Sequence, residues 1–256
     1  MVLAASSISP SVAPPSHGNL AISIAGTQSL GAMSNIDFNV IAFDLDGTLA
    51  DTAPDLAASL NHVLARFGRD AIGEHEVRHL VGHGARALLR KGLAATGEAP
   101  ETLVEQGYPM FLEHYAAHIC DGTRPYEGVA RALDDLAARG IGLAICTNKP
   151  EAMTLRLVDA LGWSDRFAAI VAADTLPVKK PDPAPLLEAV ARAGGGRAAF
   201  VGDSITDADT ARAAGVPLVA VSFGFSDRPA LALGAARVID HYDELLPALA
   251  SMTGAP

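Results

Sequence analysis

Short apolar runs punctuate the chain from Asn39 onward, at 40–43, 141–146, 169–172, 198–201, 217–221 and 237–239. Each is too brief for a helix and rich in β-branched or small apolar residues, so each reads as a strand. The runs are continuous rather than alternating, which is the pattern of strands covered on both faces. Between most of them apolar positions recur every three to four residues, as on one face of a helix. Alternating strands and helices predict an α/β chain with a mainly parallel sheet.

One interval breaks the rhythm. About 95 residues separate the first strand from the second, far more than a single crossover helix needs. That stretch reads as helix after helix. Thr52 is expected to cap the first, with Pro54 in its first turn and Gly68 closing it. A second is expected over 74–80, and a third from Gly84 to about Ala95. A fourth is expected from Pro100 to about Ile119, interrupted near Gly107 and Pro109. The expected organisation is therefore a core of 37–51 and 125–256, with a helical cap subdomain at 52–124 inserted after the first strand.

Composition narrows the function. The chain has 256 residues, half of them hydrophobic, enough for one core and an appendage. A formal net charge of −10 provides no broad basic surface, which argues against nucleic acid as a partner. The two cysteines, Cys120 and Cys146, form neither a disulfide framework nor a ligand cluster, and a reducing cytoplasm suits them. No run reaches membrane-spanning length, so no membrane partner is expected. Residues 1–36 hold no Lys, Arg, Asp or Glu and read as a disordered leader, with Met33 as a candidate natural start. They lack the arginines of a transit peptide and the charged, longer apolar segment of a secretory signal.

The candidate chemistry gathers at four strand ends, where open α/β sheets bind ligands. The first run ends in Asp44-Leu45-Asp46-Gly47-Thr48, which sets two carboxylates around one point. The second ends in Thr147-Asn148-Lys149, a hydroxyl followed by a helix start. Such a start can grip a phosphate oxygen, although Thr147 taken alone reads as a helix cap. In Lys179-Lys180-Pro181-Asp182-Pro183, prolines stiffen a loop that carries an ammonium; a single loop lysine is ordinarily solvated. Gly202-Asp203-Ser204-Ile205-Thr206-Asp207 repeats the logic of the first run. Asp44, Asp203 and a backbone carbonyl would suit Mg²⁺, a hard cation. Asp207 reads equally as a supporting partner behind the metal ligands and as a carboxylate in the first turn of a helix.

Taken together, Asp44-Leu45-Asp46-Gly47-Thr48, Thr147-Asn148, Lys180-Pro181-Asp182-Pro183 and the segment from Gly202 to Asp207 resemble the four motifs of the haloacid dehalogenase superfamily. The resemblance spans about Ile36 to Leu249. It implies a Rossmann-like, doubly wound sheet with an inserted helical cap. It also implies that Asp44 is a nucleophile, that Asp46 acts as general acid and then base, and that Thr147 and Lys180 bind the phosphoryl oxygens. Asp44, Asp203 and the main-chain oxygen of Asp46 would hold Mg²⁺. Asp46, two positions after the nucleophile, points to phosphatases and phosphomutases rather than dehalogenases.

The expected substrate is a small anionic phosphate monoester bound by Asp44, Thr147, Asn148, Lys180, Gly84 and Arg86. The segment from Leu80 to Leu89 is similar to the cap of bacterial phosphoglycolate phosphatases. Helix amides at Gly84 beside Arg86 would then receive the carboxylate of 2-phosphoglycolate, and Arg90 follows one turn later. On its own the segment reads as an amphipathic helix with solvated arginines. Sugar phosphate, pyrophosphate and a phosphomutase reaction stay open as alternatives, whereas the intact Asp44, Asp46, Lys180 and Asp203 argue against a chain that binds without catalysis. The assembly is expected to be a monomer or homodimer. His114 and His118, four apart, are expected to flank a partly exposed helix face, and Trp163 to pack at a helix end.

Overall fold

The computed structural model of the chain describes residues 36–226 and 228–252. They belong to the second of two compact units, which begins at Ser34. The leader expected at 1–36 lies outside the described residues except for Ile36, and so does Met33.

The first strand, β1 (Val40–Phe43), is followed by the short β2 (Ala50–Asp51) and four helices, α1 (Ala53–Arg66), α2 (Glu74–Arg78), α3 (Ala85–Ala95) and α4 (Glu101–Ala117). The chain returns through β3 (Arg124–Pro125) and continues as α5 (Val129–Ala137), β4 (Gly142–Cys146), α6 (Glu151–Ala160), β5 (Ala169–Val171), α7 (Ala184–Arg192), β6 (Ala198–Gly202), α8 (Ile205–Ala214), β7 (Leu218–Val221), β8 (Arg237–Ile239) and α9 (Leu245–Ser251). All six strands expected from the apolar runs are present within one or two residues of the expected ends.

Those six form one sheet in the order β5-β4-β1-β6-β7-β8, and every neighbouring pair is parallel. Two-sided burial explains the unbroken apolar runs. In β1, Ile41 and Phe43 pack with Val129, Leu133 and Leu136 of α5. Val40 and Ala42 face the other way, onto Leu186 and Ala189 of α7 and Ala208 of α8. The chain passes from β1 to one side through β4 and β5, then crosses to β6 on the other side. That reversal opens a crevice at the carboxyl ends of β1, β4 and β6, where a ligand site is expected.

The helices of the long interval share a third apolar cluster, in which Leu60, Val63 and Leu64 meet Leu88, Leu89, Val104, Phe111 and Tyr115. Met153 of α6 joins it and thereby links it to the sheet's own helices. Antiparallel packing of α3 on α4 is marked by two ion pairs, Arg86 with Glu105 and Arg90 with Glu101.

Three expectations need correction. The fourth helix is not interrupted: α4 runs through both Gly107 and Pro109. A Cβ on Gly107 would fall 2.8 Å from Val63 and 3.0 Å from Leu89, so this glycine serves close helix approach rather than a break. Thr52 stands at the start of α1 but makes no side-chain cap. Its hydroxyl donates to Asp46 instead, at 2.8 Å, while Asp51 accepts from the amide of Ala53. The second helix ends at Arg78 rather than Leu80.

The antiparallel pair of β2 with β3 was not expected. It joins the chain leaving for the four helices to the chain coming back. Asp55, buried in the first turn of α1, reinforces the join. Its carboxylate accepts from the amides of Gly122 and Thr123, each at 2.8 Å, and from the Thr123 hydroxyl at 2.6 Å.

Candidate active site

The ladder of β1 extends one residue beyond the strand, because the Asp44 amide donates to Val201 O at 2.9 Å. This fixes Asp44 at the strand tip. Its Oδ1 accepts from the Leu45 amide at 2.8 Å and lies 3.0 Å from Lys180 Nζ. Burial pushes its carboxyl up to about 6, against the pull of Lys180 and with help from Asp207 and Asp46. Asp44 is thus a poorly solvated carboxylate whose charged form needs cations near it.

Lys180 supplies one of them. Its side chain is 1 % exposed, and its ammonium also contacts Asp207 Oδ1 at 2.6 Å. Burial alone would lower its pKa, but Asp207 and Asp44 reverse the effect and raise it, so the group stays charged. The other Asp207 oxygen accepts from the Asp203 and Ser204 amides and the Ser204 hydroxyl, at 3.2, 3.0 and 2.6 Å. Both Asp207 oxygens are therefore engaged within the protein, and the carboxylate doubles as part of the capping box of α8.

Asp203, at the tip of β6, accepts from the Thr48 hydroxyl at 2.8 Å and the Phe225 amide at 2.7 Å. Burial pushes its carboxyl well up, and Asp207 and Asp44 add to the shift. Gly47, at φ +80°, lets the loop after β1 pass close by, since a Cβ there would lie 2.6 Å from Asp203 Oδ2.

Oxygens of Asp44, Asp203 and Asp207 lie within 4.8 Å of one another. Two of these three buried carboxylates, Asp44 and Asp207, share the one ammonium of Lys180, and Asp44 and Asp203 are held away from their ordinary ionisation by burial and by neighbouring carboxylates. A divalent cation fits that donor set and would offset its excess negative charge. The Asp46 side chain stands apart from this cluster.

A pocket opens beside Asp44. Its polar side comprises Asp44, Asp46, Thr147, Asn148 and Lys149, and the opposite side is Leu56, Val81, Leu88, Phe111, Leu112 and Met153. Gly84, at the start of α3, completes the rim. Asp46 takes 2.8 and 3.1 Å contacts from Lys149 Nζ in addition to the Thr52 hydroxyl. Lys149 Nζ also donates to the Tyr115 hydroxyl at 2.7 Å, which ties the end of β4 to α4. The Thr147 hydroxyl accepts from the Lys149 amide at 3.2 Å. Asn148 Nδ2 donates to Lys180 O at 3.0 Å, whereas its buried Oδ1 has no protein partner.

The structure thus gathers Asp44, Asp46, Thr147, Asn148, Lys180, Asp203 and Asp207 at one end of the sheet, with Gly84 across the pocket. Lys180, Asp203 and Asp207 support Asp44 rather than line the pocket. Arg86 is not brought in. Its guanidinium pairs with Glu105 and stacks over the Tyr108 ring 4.0 Å from the centroid, on a half-exposed face. The helical period of α3 turns Arg86 toward α4, and Arg90 is likewise occupied by Glu101. Lys149 and Tyr115 were missed. The only signal in the sequence was a lysine directly after Thr147-Asn148; its partner is contributed by another helix.

Residues 41–221 match the family described as haloacid dehalogenase-like hydrolase. The chain is 47 % identical to a phosphoglycolate phosphatase of Mesorhizobium japonicum, over 82 % of this chain and 94 % of that one. It is 43 % identical to a phosphoglycolate phosphatase of Agrobacterium fabrum, over 81 % and 90 %. Among solved structures, a predicted phosphoglycolate phosphatase from Haemophilus somnus superimposes with a TM-score of 0.77 at 30 % identity, covering 82 % of this chain and 97 % of that one. The chain belongs to the haloacid dehalogenase-like hydrolase family.

Proposed function

We propose that this hydrolase is a Mg²⁺-dependent phosphatase that converts 2-phosphoglycolate to glycolate and phosphate through a phosphorylated Asp44. The observation that carries the chemistry is the placing of Asp44 on Lys180, 3.0 Å away, at the tip of β1, where its oxygens lie within 4.8 Å of those of Asp203 and Asp207. The substrate is supported by the names and coverage of the relatives.

A carboxylate that attacks a phosphate dianion meets like-charge repulsion, so the site has to supply positive charge where the bond forms. Lys180 offers it directly beside the attacking carboxylate. Mg²⁺ would be held by Asp44, Asp203 and the main-chain oxygen of Asp46, and would neutralise phosphoryl oxygens. The Asp44 carboxylate forms a bond to phosphorus as the ester P–O bond breaks. The Thr147 hydroxyl, whose own proton is not used by the Lys149 amide, donates to a phosphoryl oxygen, and Asn148 flanks it. Asp46 gives its proton to the leaving glycolate oxygen. It then takes a proton from the water that cleaves the aspartyl phosphate, which restores Asp44. Asp207 holds Lys180 in place and touches no reacting atom.

Residues 52–124 act as a cap that closes the pocket over the substrate and expels water, upon a core of 37–51 and 125–256. No helix among the described residues is long and apolar enough to cross a membrane. The enzyme works in the cytoplasm as a monomer or homodimer.

The test is phosphate release from a panel of small monoesters, with and without Mg²⁺. Phosphoglycolate should dominate, with dependence on the metal. Turnover confined to other esters would remove the substrate assignment, and activity without a divalent cation would remove the metal's role.

A further inference from the structure

Among the described residues, Lys149 is the one cationic side chain that lines the pocket. Its side chain is 3 % exposed. Its ammonium contacts both Asp46 oxygens and the Tyr115 hydroxyl. An ammonium has three donors and no acceptor, so these contacts account for all of it. Burial favours the neutral amine here, but Asp46 and Tyr115 outweigh it and the group stays charged. A buried ammonium of this kind requires a counter-ion, and removing only the anion of such a pair carries a heavy penalty.

The reaction disturbs that pair. Both Asp46 oxygens face Lys149, and one also accepts from Thr52. To protonate the leaving oxygen, Asp46 has to give up this contact and take up a proton from solvent, which leaves it neutral. In 2-phosphoglycolate the carboxylate carbon is two bonds from the same oxygen, so the substrate carries a second anion close to the place Asp46 vacates. No side chain on the facing wall of Leu88, Phe111 and Met153 carries a charge that could pair with it, and Arg86 is engaged by Glu105 outside the pocket.

We infer that Lys149 is the specificity-determining residue: the remote carboxylate of the substrate takes the place of Asp46 on the Lys149 ammonium, which Tyr115 of α4 holds in position. An ester with a neutral tail leaves the ammonium without its counter-ion, so the penalty falls on that substrate alone. Selection then arises from a group left unpaired by the wrong ligand, which discriminates more strongly than apolar fit. The inference rests on the assignment of Asp46 as the group that meets the leaving oxygen.

The test compares kcat/KM for 2-phosphoglycolate and for 2-hydroxyethyl phosphate, in the presence of Mg²⁺, in the wild type, Lys149→Met and Tyr115→Phe. The wild type should favour the acidic ester by at least about 100-fold. In Lys149→Met the ratio should shrink at least about tenfold, because phosphoglycolate turnover falls further than that of the neutral ester, whatever loss both share through Asp46. Tyr115→Phe should lower the ratio less, through KM for phosphoglycolate. Equal losses on both esters in Lys149→Met, or an unchanged ratio, would overturn the inference. Should circular dichroism show Lys149→Met unfolded, Tyr115→Phe decides, and an unchanged ratio there has the same consequence. Asp44→Asn separates the two levels: if it abolishes turnover of both esters, the phosphatase assignment stands even where the Lys149 inference fails. A wild type that does not prefer the acidic ester would remove the inference outright.

Discussion

At and behind the sheet side of the pocket, Asp44, Asp203, Asp207 and Lys180 are almost fully buried, and their positions are set by hydrogen bonds and ion pairs. On the helical side the same pocket is closed by Leu56, Leu88 and Phe111, positioned by packing alone. The first wall is rigid in geometry because each group is over-determined by named partners. The second is adaptable in detail, because apolar contacts are non-directional. Reaction chemistry is therefore expected to depend sharply on the sheet side, and stability to depend on both. Tyr115 is the exception that joins them: it is a residue of α4 whose hydroxyl meets a polar group of the sheet side.

The largest effect should come from breaking the polar wall. Asp207→Ala leaves Lys180 with one carboxylate partner and strips the acceptor from the Asp203 and Ser204 amides. Unfolding in urea should reveal a loss of about 3 kcal/mol or more, the usual consequence of leaving a buried charge half-paired. Activity should fall with it, as the ammonium beside Asp44 is no longer fixed. A variant as stable and active as the wild type would dissolve the distinction between the walls.

The apolar wall should respond differently. Leu88→Ala removes a buried side chain and should cost about 2 kcal/mol, toward the lower end for leucine truncation because one side already borders a pocket. In the folded variant kcat/KM for phosphoglycolate should change by less than about tenfold. A much larger kinetic loss with little loss of stability would assign Leu88 a direct part in the chemistry.

The smallest effect lies on the outer face of the helical part. His62, His114 and His118 stack in a column, with centroids 4.4 and 4.5 Å apart, and Ser59 lies against His114. Burial lowers the His114 pKa below 6.5, and His62 and His118 lower it further. The unfolded chain therefore binds the His114 proton more readily than the folded one. The stabilisation is present above about pH 6.5 and declines as pH falls through the depressed value. Urea melts at pH 7.5 and pH 5.5 should show a loss at low pH that shrinks in His114→Gln, whereas an identical pH response would exclude this source.

The same contrast explains what could be read from the sequence. Strands covered on both faces leave unbroken apolar runs, so the six strands of the sheet were legible, and Asp44, Asp46, Asp203 and Asp207 followed from the spacing at their tips. The pair of β2 with β3 was not, since two residues carry no period. Thr52 and Arg86 were legible as residue types but not as contacts. Whether a hydroxyl caps its own helix or reaches Asp46 depends on where another loop passes. Whether an arginine faces a pocket or Glu105 depends on the register of α3 against α4. Lys149 was hidden for a related reason: its partner Tyr115 lies 34 residues away in sequence, on an otherwise apolar helix face.

The most direct test of the account is the covalent intermediate itself. Enzyme turning over 2-phosphoglycolate with Mg²⁺ should be quenched in acid, digested and examined by mass spectrometry, with Asp44→Asn treated in parallel. A phosphoryl group is expected on the wild-type peptide at Asp44, with neither modification nor turnover in the variant. Phosphorylation at another residue, or phosphate release that survives Asp44→Asn, would contradict it.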